Sequence, residues 1–397
     1  MTGRGRSGDA GAAGPTWSTV TGEDLLELTA RLVDVPSVSH DERAVADFVE
    51  SRLRAVAGEA LEVARIGDNV CARTTFGLPQ RLVLAGHLDT VPPNGNERAR
   101  REGDVLFGLG SADMKGGDAV FLELARVVGS TGRSGAGSTP GSGMAADLTW
   151  IFYVCEEVDR RHSGLGQIDS AAPEWLAADA AVLGEPTGGH VEAGCQGVLR
   201  VAVEVGGERA HTARPWMGRN AIHRLGSVLD AVAAYEGRRP VIDGCEYREA
   251  LQAVSVSGGV ANNVVPDAAS VVINHRFAPD RTIVEAFESV REVVAAPLLG
   301  LSGDLDDATI VLEESAAAAP PGLSHPLLAA IVTTCGQPAR AKLGWTDVSF
   351  FAERGVPALN FGPGEPTVAH RGDEHVPLDQ LERVFRTLAE VLLTPSA

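Results

Sequence analysis

Three short apolar runs in this chain stop abruptly at acidic or histidine residues, and that pattern constrains the fold more than any other feature. RLVLAGHLDTV (81–91) runs into His87 and Asp89, LTWIFYVCEEVD (148–159) into Glu156 and Glu157, and AAVLGEPT (180–187) into Glu185. Runs that are apolar without alternation have both faces buried, as do the strands of a mostly parallel sheet between helices. Open α/β sheets carry their chemistry at the carboxyl ends of such strands. Helical spacing fills the intervals. LLELTARLVDV follows Asp24, Ser39 is placed to cap a second helix through Val45 and Phe48 to Leu53, and DMKGGDAVFLELARVV and 378–393 follow. The predicted class is α/β, a mixed and mostly parallel sheet flanked by helices.

From about Gly197 the texture changes. VLRVAVEV alternates as a half-buried strand, 220–236 reads as a helix, LQAVSVSGG and ASVVINHRF as two strands, and 282–296 as a second helix. TIVLEE (309–314) is the expected closing strand. This order predicts an α+β segment of ferredoxin-like type. The expected organisation is a disordered tail over 1–18, a larger domain from 19–196 and 305–397, and a smaller domain, 197–304, inserted into it. The Gly/Ser-rich tract 129–147 reads as a mobile surface insertion.

Length and charge bound the function. The 397 residues suffice for two domains. A net charge of −19 excludes a phosphate-neutralising surface, so neither nucleic acid nor an anionic membrane is an expected partner. An anionic substrate would need local arginines. Cys71, Cys155, Cys195, Cys245 and Cys335 are odd in number and form no CxxC, and no N-terminal apolar run has signal-peptide length. They read as small buried hydrophobes of a cytoplasmic protein. No run of apolar residues is long enough to span a membrane.

The chemistry-bearing residues form an ordered set. His87 and Asp89 sit at i and i+2, which share one face of a strand; a ligand histidine needs such a carboxylate to fix its tautomer, although a polar strand end reads the same way. Asp113 in GLGSADMKGG either bridges metals or caps the following helix, and Lys115 beside it reads as structural or solvated. Glu156 and Glu157 at the end of an apolar strand suit a base and a ligand, or a solvated acidic turn. Glu185 precedes a proline turn, and His370 lies in AHRGDEH after a Gly/Pro-rich loop. Hard oxygen ligands with two histidines suit zinc, cobalt or manganese.

With HxD, ADMKGG, EE, GEPT and HxxDE in this order from 87 to 374, the chain resembles the zinc metallopeptidase family that includes aminoacylase, acetylornithine deacetylase, carboxypeptidase G and succinyl-diaminopimelate desuccinylase, over residues from about 22 to the C-terminus. GCQGVLRV, HTARPWMGRNAIH, GGVANNVVPD, NHRFAPDR, GWTDVSFF and NFGPGEPTVAHRGDEHV resemble its desuccinylase branch of actinobacterial type. The resemblance implies a metal-dependent amide hydrolase with two Zn2+ ions (Co2+ as a substitute). It implies that His87 and Glu185 hold one ion, Glu157 and His370 the other, that Asp113 bridges them before a cis peptide to Met114, that Glu156 is the general base and that Asp89 orients His87. It further implies a homodimer through the inserted lid domain, His211 reaching the partner's site to hold the oxyanion, and Asn262, Asn263 and Arg276 on an N-acyl amino acid substrate. The chain departs from some desuccinylases at Cys195 and Gln196, where those carry arginines, and at Trp345-Thr346-Asp347, where they carry a glycine-serine turn. Arg214, Arg219 and Arg371 are the candidate replacements, and Thr346 joins the substrate-binding set. The expected reaction is release of succinate from N-succinyl-LL-2,6-diaminopimelate in lysine biosynthesis. The competing readings are deacetylation of acetylornithine, hydrolysis of another N-acyl amino acid, and a non-catalytic binding member.

Overall fold

The computed structural model describes residues 17–58, 60–131, 141, 143–302 and 307–393. The tail 1–16 and most of the Gly/Ser tract, 132–140 and 142, lie outside the described residues. The ends of both expected irregular segments are ordered. Trp17–Thr19 forms a short 3-10 helix. Ala146 and Asp147 are buried, and Asp147 opens a strand.

The chain divides into two compact units. One runs to Val191 and adds 329–337 and 360–397; the other comprises 192–328 and 338–359. In the first, the strand Arg81–His87 pairs in parallel with Asp147–Tyr153 on one side and Ala180–Pro186 on the other. Leu82, Val83, Leu84 and Ala85 are completely buried, as the unalternating pattern requires. The strand Ala358–Gly362 follows Ala180–Pro186 in sheet order. On the other flank the sheet turns antiparallel through Asn69–Arg73 and Glu62–Ile66. That hairpin escaped the sequence reading; its signal is Gly67-Asp68 between the paired Ile66 and Asn69, with Gly67 at φ +61°.

Four of this unit's helices pack together. Gly22–Val33 starts with a reciprocal capping box between Thr21 and Asp24. Arg43–Ala57 follows, and its N-cap is Glu42 without a side-chain cap bond. Ser39 therefore does not cap it: the Ser39 hydroxyl donates to Asp89 Oδ2 at 2.7 Å instead. The largely buried helix Gly116–Thr131 packs on Gly22–Val33, on Arg43–Ala57 and on the C-terminal helix Leu378–Leu393.

In the second unit the strands Gly197–Gly206, Ala250–Gly258, Ala268–Phe277 and Ala308–Ala316 form one antiparallel sheet. The order is Ala250–Gly258, Ala268–Phe277, Gly197–Gly206, Ala308–Ala316. Helices Ala221–Ala233 and Ile283–Ser302 pack on it, which makes the βαββαβ order read from the sequence. Its core includes Leu199, Val201, Val203, Val271, Ile273 and Phe277. The closing strand Ala308–Ala316 pairs with Gly197–Gly206, and both expected boundaries, 197 and 304, fall inside this unit. Among the described residues no helix is long and apolar enough to cross a membrane.

Candidate metal centre

Strand ends bring the ligand candidates together. The Arg81–His87 strand stops at His87, so Asp89 lies beyond it rather than on the same strand face. The juxtaposition is made by the turn: His87 Nδ1 lies 3.1 Å from the Asp89 carbonyl and 3.5 Å from its Oδ1. Asp89 also binds the neighbouring strand end. Its Oδ1 accepts the Glu156 amide at 3.0 Å and its Oδ2 accepts the Glu157 amide at 3.1 Å. Burial would raise this carboxyl, but His87, the Glu156 amide and the Ser39 hydroxyl hold it down to about 2.

Asp113 occupies an irregular turn, Ser111–Lys115, with a cis peptide to Met114. It is not a helix N-cap. One oxygen, Oδ1, lies 3.1 Å from His87 Nε2; the other, Oδ2, lies 3.6 Å from His370 Nε2. His370 Nε2 is also 3.0 Å from Glu157 Oε1. Donor atoms of His87, Asp113 and Glu157 all lie within 4.8 Å of one another. Glu185 is 5% exposed at the end of the adjacent parallel strand. It stands two residues past Leu183, as His87 stands two past its partner Ala85. Glu156 is half-buried beside Glu157.

This donor set fits divalent cations. Two imidazoles and the carboxylates of Asp113 and Glu157 converge, and Asp113 turns a different oxygen to each histidine, as a bridging ligand does. The electrostatics agree. Burial would lower the His87 imidazole, yet Asp113 and Asp89 raise it well above the usual range. The hydrogen bond to Glu157 raises His370 to about 9. Carboxylates thus face both rings, a setting that favours positive charge at the cluster.

Packing beneath the site is tight. A Cβ on Gly86 would stand 2.8 Å from Met114 Cε and would also strike Asp118, and one on Gly184 would stand 2.7 Å from the same methyl. Glycines at these positions let Met114 press against the two ligand strands. Lys115 is buried and donates to the Val35 carbonyl at 2.9 Å, which makes it structural rather than solvated. Sequence reasoning made Ser39 a helix cap and gave Glu374 no role of its own. Glu374 Oε1 accepts the amides of Ala112 and Asp113, each at 3.0 Å.

The residues expected on the substrate belong to the second unit. His211, Arg214, Asn262 and Asn263 are exposed there. His211 bridges to Val264, and the Thr212 amide donates to the Asn263 carbonyl at 3.1 Å, so these two loops lie side by side. Arg276 is half-buried and has no ion pair among the described residues. Thr346 is 4% exposed and its carbonyl accepts the Cys195 thiol at 3.6 Å. Of the other candidate arginines, Arg219 is paired with Asp307, and Arg371 with Asp373 at 2.8 Å.

The sequence pattern of Peptidase family M20/M25/M40 matches residues 83–394, which include every ligand candidate. The chain belongs to this family. M20 peptidases are metal-dependent hydrolases, in keeping with the cluster. A Mycobacterium tuberculosis protein provisionally named succinyl-diaminopimelate desuccinylase DapE is 52% identical over 369 residues, covering 93% of this chain and 98% of its own. Succinyl-diaminopimelate desuccinylase of Corynebacterium glutamicum is 46% identical over 370 residues, 93% of this chain and 96% of its own. Among M20 folds, aminopeptidase PepT of Bacillus cereus superposes with a TM-score of 0.74 at 18% identity, over 94% of this chain and 98% of that one. The Bacillus subtilis YxeP protein, described as a dinuclear metal-binding peptidase, gives 0.68 at 14% identity over 93% and 97%.

Proposed function

We propose that this chain hydrolyses the amide of N-succinyl-LL-2,6-diaminopimelate to succinate and LL-diaminopimelate, a cytoplasmic step of lysine biosynthesis, with two zinc ions. The observation that carries the hydrolytic reading is Asp113 set between His87 and His370, with Glu157 on the second histidine. The substrate is supported by the near full-length likeness to proteins of that name.

His87 and Glu185 would hold one ion, Glu157 and His370 the other, and Asp113 would bridge them. When bound, the ions acidify a water and polarise the scissile carbonyl. Glu156 takes the proton of the attacking water and returns it to the leaving amine. Asp89 holds the His87 ring and the Glu156 backbone for that transfer. His211, exposed on its loop, donates to the oxyanion in the partner subunit's site. Arg276 and Arg214, with Asn262, Asn263 and Thr346, form the substrate contacts. Their positive charge offsets the repulsion that a net charge of −19 exerts on a dianionic acyl amino acid.

A second copy is the expected partner. The strand Ala250–Gly258 is the sheet's edge, and Val254 and Val256 on it are 58% and 56% exposed. An apolar edge of this kind pairs with its like. Sedimentation should find a dimer, and a charge at Val256 should weaken it.

The test of function is hydrolysis by zinc-loaded protein of N-succinyl-LL-diaminopimelate beside N-acetylornithine. Preference for the succinylated diacid supports the proposal. Preference for acetylornithine, or turnover of neither with two ions bound, removes it and leaves the metal centre.

A further inference from the structure

The His370 loop and the Asp113 turn are 261 residues apart at their closest tie, yet they are locked together through one carboxyl. Glu374 is 1% exposed. Its Oε1 receives two consecutive amides, Ala112 and Asp113, and its own carbonyl accepts the Gly108 amide at 3.0 Å. The next residues continue the contact as a short antiparallel pairing: His375 opposite Phe107, Val376 opposite Leu106 and Pro377 opposite Val105. On the other side of His370's loop, Asn96 Nδ2 donates to the Arg371 carbonyl at 3.1 Å while the Asn96 carbonyl accepts the Leu109 amide at 2.7 Å. A Cβ on Gly364 would stand 2.6 Å from that of Ala112, so the two segments touch backbone to backbone.

A bridging carboxylate must present its two oxygens in two directions at once, and a side chain as short as aspartate aims only as well as its backbone is held. From this geometry we infer that Glu374 is a positioning residue of the metal centre: by accepting the Ala112 and Asp113 amides it sets the aim of the bridging carboxylate, and by its place four residues after His370 it sets the distance between bridge and second histidine. The inference rests on the metal-centre reading proposed above and extends it. Two amides meet on one buried carboxyl oxygen, so the arrangement has a single geometry.

The experiment is a titration of the metal-free full chain with Zn2+ by calorimetry and with Co2+ by its visible absorption, for wild type, Glu374→Ala, Glu374→Asp and Glu374→Gln. Removal of a group that orients a ligand weakens metal binding about 10–100-fold. That loss is expected for Ala, and for Asp, which keeps the charge but falls a methylene short of the amides. The cobalt spectrum should change with it. Gln keeps the accepting oxygen and should restore affinity and spectrum to near wild type. Wild-type affinity and spectrum in Ala and Asp overturn the inference, and so does a Gln variant as weak as Ala, which would assign the effect to charge. Where Ala does not fold, Asp decides on the same terms. No acyl substrate enters these readouts, so a failure of the substrate assignment and a failure of this inference are told apart.

Discussion

The Glu156 amide donates to Asp89 Oδ1 at 3.0 Å, so the residue proposed as base is held by the carboxylate that also faces the ligand His87. Base and ligand sit on the ends of adjacent parallel strands, and this bond sets their spacing. The next amide, that of Glu157, donates to the other Asp89 oxygen at 3.1 Å, so one buried residue ties His87, Glu156 and Glu157 together.

Glu156→Gln preserves shape and removes the proton acceptor. Turnover should fall by at least about 10²-fold, the lower end of general-base contributions. Zinc stoichiometry by calorimetry should stay at the wild-type value. A near wild-type rate would take the base role from Glu156.

Asp89→Asn replaces one accepting oxygen by an NH2 group that opposes an amide of Glu156 or Glu157. The expected result is a drop of about 10–100-fold in metal affinity or kcat, as for other groups that orient ligands. Steady-state kinetics at saturating zinc, beside a metal titration, separates the two effects. Unchanged values in both would reduce the Asp89 contacts to packing.

His211→Ala should lower kcat by about 10²–10³, the usual cost of one oxyanion donor, with little change in metal binding. The ring lies on an exposed loop, and among the described residues its Nδ1 accepts only the local Ala213 amide at 3.0 Å. Its Nε2 is therefore available to a substrate. A kcat equal to wild type would strike His211 from the reaction.

Asp147 lies away from the site and tests the fold alone. Its carboxylate accepts the Thr74 hydroxyl at 2.6 Å and the amides of Phe76, Gly77 and Leu78 at 2.9–3.0 Å. Burial would raise this group, but the Thr74 hydroxyl and those amides hold it below its ordinary 3.8. A depressed carboxyl stabilises the fold above its unfolded pKa and loses that contribution as pH falls through the lower folded value. Asp147→Asn should cost about 1–3 kcal/mol at neutral pH. It should also flatten the loss of stability on acidification below 3.8, measured by urea unfolding across that range. A variant with the wild-type pH slope would show that the charge contributes nothing.

Local chemistry made much of this molecule legible before its structure. Unalternating runs such as Leu82–Ala85 require two buried faces, and a 3.6-residue period marked the helices, including 378–393 to the residue. The end-of-strand acids and histidines announced a metal centre because buried carboxylates at strand tips are costly without a counter-charge. What local patterns could not contain is which of these groups meet. Ser39 sits where a helix cap is expected, but the Asp89 carboxylate competes for its hydroxyl and wins. Glu374 closes the HxxDE motif, but the motif does not say what the carboxyl holds, and only chain folding brings the amides of Ala112 and Asp113 to its oxygen. The split of Asp113 between His87 and His370 likewise depends on a turn, a strand end and a C-terminal loop arriving together. Periodicity and residue type act over a few residues, and so they determined elements and candidate chemistry. Aim and pairing act across hundreds of residues, through packing and hydrogen bonds between segments that share no local sequence, and those the tertiary structure alone decided.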